Sequence, residues 1–510
     1  MARKWWTLLA ACVATFMLLL DITVVNVALP PIEHDLHATF IDVQWVIDAY
    51  TLTLAAFVLT SGSFADRLGR RRVFAFGIIV FTVASLICGF AISPAMLNIS
   101  RAVQGVGGAV LFAVSLALVA QEFIGKERAT ALAIYGATIG VAVAVGPIVG
   151  GALTTTLGWR WIFFINVPIG FGALLVTITQ VRESRDPNAR GIDWLGFITF
   201  GIANAMLVLA LLRGNEDGWT SPLIIGLFAG AAMLLIAFVI IETRIAQPML
   251  PLGYFRNRTF TGAQVAAFAI SATMFASFLY IILYVQNILG YSAMGAAVRF
   301  LPVTIAAFLI APLSGIAITK VAPKVLLALG LGLIAVGLVL MANTKPGDDW
   351  TGILFGLLLG GIGIGVVNPV LANVALSTVP EEQSGVASGV NDTFRQVGIA
   401  AGTAAMGALF LARAQGRISE LLPGIPAEQA RGLANGVTLG GLSSSIQPSV
   451  LAAARQGFFA GFNEILFVAG IVAAIGALAA FMLVSTRGFM ARQDAAEAAG
   501  LANTAQSRVG

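Results

Sequence analysis

Two carboxylates and one guanidinium stand inside long apolar runs of this 510-residue chain: Asp21, Asp48 and Arg101. A charge at the centre of a hydrocarbon layer costs about 2.5–3.5 kcal/mol unless it is paired or wet. Such residues therefore mark either a fixed ion pair that holds helices together or a site that titrates. At 1.5 Å per residue, Asp21, Asp48 and Arg101 lie about 12, 7 and 9 Å from the same end of their runs, which allows one shared layer. A carboxylate there, with burial and a nearby arginine acting in opposite directions, would take up and release a proton as water reaches it from alternate sides. Proton coupling by Asp21, Asp48 and Arg101 is the expectation.

Further polar groups stand in later runs. Asp392 and Arg395 are three residues apart; either they pair, or Asp392 reaches a cavity and meets cationic ligands. Glu464 is open in the same way. Phe275, Phe278, Tyr280 and Tyr284 recur along one run, where they either face lipid or offer a flat ligand stacking and cation–π contacts. Enzyme chemistry finds little here. The two histidines, His34 and His37, fall in one short connection, the two cysteines lie in apolar runs, and no Walker sequence occurs. Gly330-x-Gly332 begins a relaxed dinucleotide fingerprint but sits inside an apolar run with no strand before it, so packing explains it. No cofactor, metal or disulfide is expected. Without a nucleotide site, any work must be driven by an ion gradient, and protons are the expected partner.

The elements that position these groups are membrane spans. The chain is 58% hydrophobic and 10% charged, with mean hydropathy +0.93, against about 25% charged residues in soluble proteins. Its net charge of +5 reflects basic loops facing an anionic leaflet and not nucleic-acid binding. About fourteen apolar runs are predicted, at 5–29, 43–62, 73–93, 95–118, 130–154, 161–181, 192–212, 222–241, 259–285, 295–317, 324–342, 352–379, 385–411 and 458–484. Lys and Arg crowd alternate connections, notably Arg67, Arg70, Arg71, Arg72, Lys126 and Arg128, whereas the short connections on the other side hold only Arg160, Arg213 and Lys345. The long 412–457 loop adds four arginines there, but long loops carry little weight. By the positive-inside rule both ends are cytoplasmic.

The chain also repeats itself. SGSFADRLGRR from Ser61 aligns without gaps on SGIAITKVAPK from Ser314, so that Asp66 falls opposite Thr319. Gly105 and Gly107 meet Gly361 and Gly363, and GAL from Gly151 meets GAL from Gly407, at nearly the same offset. The expected plan is two parallel six-helix bundles, 1–182 and 259–484, around a ligand cavity. An inserted helix pair with its linkers occupies 183–258, an external loop 412–457 and a cytoplasmic tail 485–510.

GSFADRLGRRR from Gly62 is more specific than a basic loop. Its glycines and embedded aspartate resemble the signature between spans 2 and 3 of the major facilitator superfamily. LDITVVNVALP at 20–30, WVIDAY at 45–50, RAVQGVG at 101–107 and PMLPL with FRNRTF at 248–260 resemble the fourteen-span drug:proton antiporter family of that superfamily. The resemblance implies an all-α integral membrane protein of major facilitator fold. It also implies a proton-coupling role for Arg101 and a cytoplasmic latch at Asp66 that holds the bundles together when the outside is open. Gly136, Gly140, Gly146, Pro147, Gly150 and Gly151 resemble the fifth-span motif of exporters. Glycines four apart let helix backbones approach, and Pro147 bends its helix.

The expected function is export of amphipathic or lipophilic small molecules in exchange for protons, by a monomer in the bacterial cytoplasmic membrane. Uptake by proton symport and a transport-inactive sensor are the alternatives. Asn26, Tyr50, Gln104, Phe275, Phe278, Tyr280, Asp392 and Glu464 are expected to line the substrate cavity. Gly62, Asp66, Arg67, Gly69, Arg70 and Arg71, with the fifth-span glycines and Pro147, are expected to gate it. In this reading Asp66 meets the start of the thirteenth helix near Gln383 and Ser384, steadied by Arg70 or by Glu122 and Arg128.

Overall fold

The computed structural model describes residues 2–123, 125–186, 191–318, 320–439 and 446–485. Every regular element among them is helical. The first half holds α1 (Arg3–Asp35), α2 (Phe40–Leu68), α3 (Arg70–Gly89), α4 (Pro94–Glu122), α5 (Gly125–Thr156) and α6 (Trp161–Gln180). The inserted pair is α7 (Trp194–Asp217) and α8 (Pro222–Arg244). The second half holds α9 (Arg258–Ile288), α10 (Ala293–Ala317), α11 (Pro323–Met341), α12 (Thr351–Ser377), α13 (Ser384–Leu421) and α14 (Pro448–Leu483). Thirteen of these are long and apolar enough to cross a membrane. The remaining one, α5, runs for 32 residues beside α1 and α10.

Local sequence sets the helix ends. Thr39 and Asp42 form a capping box that starts α2, each side chain taking the other's backbone N–H. Ser93 with Pro94, and Ser221 with Pro222, open α4 and α8. Gly69 has φ +112°, a conformation open to glycine and strained for other residues, and it turns the chain from α2 into α3. Two wide π turns, Ser271–Phe275 and Tyr284–Ile288, interrupt α9.

The halves pack alike. In the first, α4 lies against α2 and α3; in the second, α12 lies against α10 and α11. Repeated glycines take matching places. Gly105 abuts the Tyr50 carbonyl of α2, and Gly361 abuts the Val303 carbonyl of α10. Gly107 meets Phe81 of α3, and Gly363 meets Gly330 of α11. The third sequence match has no such counterpart: nothing lies close to Gly151, while Gly407 faces Asn215 of α7. The halves meet chiefly through α2 with α13 and α5 with α10, and also through α4 with α13 and α5 with α12.

Two expectations change. Helices continue past the apolar runs, so the 412–457 loop contains the end of α13, a helix at Ala427–Leu439 and the start of α14. Hydropathy records only the part in lipid, whereas Ala414, Ile418, Ala430 and Ala434 are buried beyond it. The inserted pair, which the repeat leaves free to stand outside both bundles, does so only in part. α7 packs against both α2 and α13, with Val208 buried against Ala55 and Ala400, and Asn204 donates to the Ala55 carbonyl at 2.6 Å; α8 packs chiefly on α7. Finally, Thr319, the tail beyond Ser485 and the side chains of Asn26 and Pro147 lie outside the described residues; α5 is helical through 147.

Candidate functional site

One cluster built on a buried ion pair lies in the first half. Arg101 of α4 pairs with Asp21 of α1. The same carboxylate accepts from Gln104 Nε2 at 2.9 Å and from Asn166 Nδ2 of α6 at 3.0 Å. Asn166 also donates to Ser85 Oγ of α3 at 3.0 Å, and Ser85 donates to the Phe163 carbonyl. Arg101 donates through Nε to the Val46 carbonyl at 3.0 Å and through a terminal nitrogen to Gln104 Oε1 at 2.8 Å. Its guanidinium lies 4.2 Å from the centroid of the Tyr50 ring. Asp21 and Arg101 are each 1% exposed, and Gln104 and Asn166 not at all. Five helices thus converge on one dry ion pair whose hydrogen bonds are nearly complete, the condition under which a buried pair is tolerated. Tyr50 and Gln104, expected on a cavity wall, belong to this cluster instead.

Asp48 does not join it. Val46 and Tyr50 turn toward α4, and a residue midway between them points away from both, since two residues advance a helix by about 200°. Asp48 lies instead in the field of Glu216 and Arg213 at the end of α7, and its Oδ2 has no hydrogen-bond partner. Asn166 was missed because it carries no charge. Its signal was a lone amide between IFFI and VPIG, where an uncharged polar group in an apolar run still requires a partner.

A second polar group lies where the halves meet. Asp392, Arg395 and Asn391 of α13, Asn368 of α12, and Tyr135 and Gly136 of α5 surround a chamber of about 20 Å³, room for about one water. Asp392 and Arg395 do not pair directly. Arg395 donates to Asn368 at 2.8 Å and to Asn391 at 3.3 Å, while Ser388 donates to Asp392 at 3.5 Å. The aromatic candidates are deeper in the second half. Phe275 and Phe278 are half-buried against one another and Phe300, and Tyr280 is buried on Phe410. Glu464 stands on the flank of the second half beside Arg413, away from the junction.

The basic end is closed. Asp66 accepts from the Gly385 and Val386 amides in the first turn of α13, at 3.1 and 2.9 Å. Arg70 holds the same carboxylate through Nε and a terminal nitrogen at 2.9 and 2.8 Å and also donates to the Glu382 carbonyl at 3.1 Å. Arg70 therefore occupies the steadying position. Gly62 and Gly385 approach so closely that a Cβ on either would collide with the other's backbone. Arg67 turns the other way, to the carbonyls of Gly191, Gln247 and Pro248 that flank the inserted pair. Glu183 accepts the Arg71 amide at 3.0 Å beneath Gly69. On α5, Gly136 and Gly140 face Pro369 and Ala307 of the second half, while Gly146 and Gly150 seat α5 on Thr23 and Val24 of α1.

The Major Facilitator Superfamily profile matches residues 11–403. The chain is 35% identical to the tetracenomycin C resistance and export protein of Streptomyces glaucescens, over 81% of this chain and 77% of that protein. It is 33% identical to the multidrug resistance protein Stp of Mycobacterium tuberculosis, over 80% and 76%. In fold it resembles the human organic anion transporter MFSD10, with a TM-score of 0.60 at 14% identity, covering 92% of this chain and 99% of that one. A multi-pass helical architecture with paired halves, and a profile match across most of its length, make this chain a membrane transporter belonging to the Major Facilitator Superfamily.

Proposed function

We propose that this transporter exports amphipathic or lipophilic small molecules in exchange for protons, from the cytoplasm across the bacterial inner membrane, with its basic end inside. The observation that carries the proposal is the buried Asp21–Arg101 pair. A carboxylate with a proton has no need of the arginine, and an arginine released from it must find other acceptors, so protonation changes how α1 and α4 pack. The resistance and export proteins among its relatives support the outward direction. Residues 1–182 and 259–484 act as the two moving units, with 183–258 between them.

In the cycle, Asp66 and Arg70 hold the basic end shut while the opposite end admits protons. Protonation of Asp21 frees Arg101, the closure at α13 loosens, and the junction around Asp392 opens to the cytoplasm. Substrate enters that junction, Asp21 releases its proton to the cytoplasm and takes Arg101 back, and return to the closed state carries substrate out. One proton moving down about 150 mV releases about 3.5 kcal/mol. That suffices for about 350-fold accumulation of a neutral substrate. A monovalent cation exchanged for one proton gains nothing from the voltage, so cation export calls for a second titrating carboxylate; Asp48 and Asp392 are the candidates. In everted vesicles from a pump-deleted bacterium, addition of a transported lipophilic compound should discharge an imposed pH gradient. Substrate movement with no proton movement would contradict the proposal.

A further inference from the structure

On the flank of the second half, toward the end opposite the basic loops, α11, α13 and α14 enclose an open-sided cavity of about 360 Å³. Arg413 and Glu464 face each other across its wall, Nε and carboxylate oxygen 4.0 Å apart, with side chains 53% and 43% exposed. This contact is loose, and it leaves the terminal guanidinium nitrogens, the pair that forks onto an oxyanion, no closer to the carboxylate. Asn463 is fixed beside them by two hydrogen bonds with Thr344, of 2.7 and 2.9 Å.

Depth identifies the environment. Glu464 lies about 28 Å along α14 from Leu483 at 1.5 Å per residue, close to the roughly 30 Å of a hydrocarbon core. With Leu483 at one edge of the hydrocarbon, that length brings the cavity to the opposite edge, about 9 Å inside the outer end of the 458–484 run, where headgroups begin. From it, Phe467, Ile471, Ile475, Leu478 and Met482 run down α14 as one exposed apolar stripe.

We propose that the cavity binds one phospholipid whose headgroup joins a phosphate to a primary ammonium, as in phosphoethanolamine. The phosphate sits on Arg413, the ammonium on Glu464, and an acyl chain follows the stripe along α14. The paired charges select the headgroup. A lipid with phosphate alone meets the repulsion of Glu464, and phosphocholine has no N–H to donate to it.

The test is native mass spectrometry of the purified full-length protein with equimolar phosphatidylethanolamine, phosphatidylcholine and phosphatidylglycerol of identical chains. Retention of one phosphatidylethanolamine is expected, preferred by about tenfold, the worth of one charge-assisted hydrogen bond. Glu464→Gln, which keeps an acceptor and loses the charge, should shrink the preference over phosphatidylcholine, Arg413→Gln should lower retention of all three, and Arg413→Lys should restore part of it. A series of N-methylated phosphatidylethanolamines needs no variant: affinity of the unmodified protein should persist through the dimethyl form and fall at the trimethyl form, which has lost its last N–H. Equal retention across that series, or a preference unchanged in Arg413→Gln and Glu464→Gln, would overturn the proposal and leave bulk lipid as the occupant.

Discussion

Asp66 supplies to α13 what a helix start lacks. The first amides of a helix have no partner within it, and here two of them, Gly385 and Val386, are satisfied by a carboxylate from the other half of the molecule. The partial positive charge of that helix end stabilises a partly buried anion by up to about 2 kcal/mol. Asp66→Ala should therefore shift the balance of open to closed basic ends by about thirtyfold at most. Asp66→Asn, which keeps an acceptor and loses the charge, should fall between. Ser384 is 1% exposed, so a cysteine in its place reports the opening through its reaction rate with a maleimide. Unchanged labelling would make the loop a topological anchor only. Arg101→Ala should destabilise the fold by about 3–5 kcal/mol, because Asp21 is left buried without its cation. Arg101→Lys should recover part of that and not the bonds to Val46 and Gln104 together, since an ammonium lacks the planar fork. Thermal melting in detergent reads both. Asp21, Arg101 and Asp66 were legible in the sequence because charge in or beside an apolar run is rare. Tyr50 and Gln104 were found but given the wrong surroundings, because spacing along α2 and α4 does not say which helix fills the facing groove.

At the scale of elements, α7 is the informative one. A pair inserted between repeats is free to stand outside both, yet α7 lies along α2 and α13, whose meeting closes the basic end. Asn204 ties it to the Ala55 carbonyl of α2, and Asn215 donates to the Ala404 carbonyl of α13 at 2.9 Å. Any rocking of α2 against α13 must slide along this helix. Asn204→Leu removes the first tie and should destabilise the transporter by about 0.6–1.7 kcal/mol, the range of interhelical hydrogen bonds in membranes. It should also change turnover more than substrate affinity. An equal loss of affinity for every compound, with turnover intact, would place Asn204 on the substrate path instead. The sequence located α7 and gave no sign of this position, because its asparagines read as isolated polar residues. The long ends of α13 and α14 were hidden for another reason: their buried alanines are too weakly apolar to register beyond the membrane.

The whole molecule is two similar bundles with unequal chemistry. Gly105 and Gly361 do the same packing, as do Gly107 and Gly363, but Leu357 occupies in the second half the place of Arg101, and it is wholly buried. That division, readable from the repeat itself, puts the Asp21–Arg101 pair in one half. In the proposed cycle, exchange of a proton for Arg101 at Asp21 couples closure of one end to opening of the other. Proteoliposomes separate coupling from transport, by comparing substrate uptake driven by an imposed pH gradient with downhill substrate exchange, in the unmodified protein, in Asp21→Asn and in Asp21→Asn with Arg101→Gln. Both variants should retain exchange and lose gradient-driven uptake, and neutralising the arginine should restore stability but not coupling. Gradient-driven uptake at the unmodified rate in either variant would contradict that cycle and reduce the pair to a structural rivet.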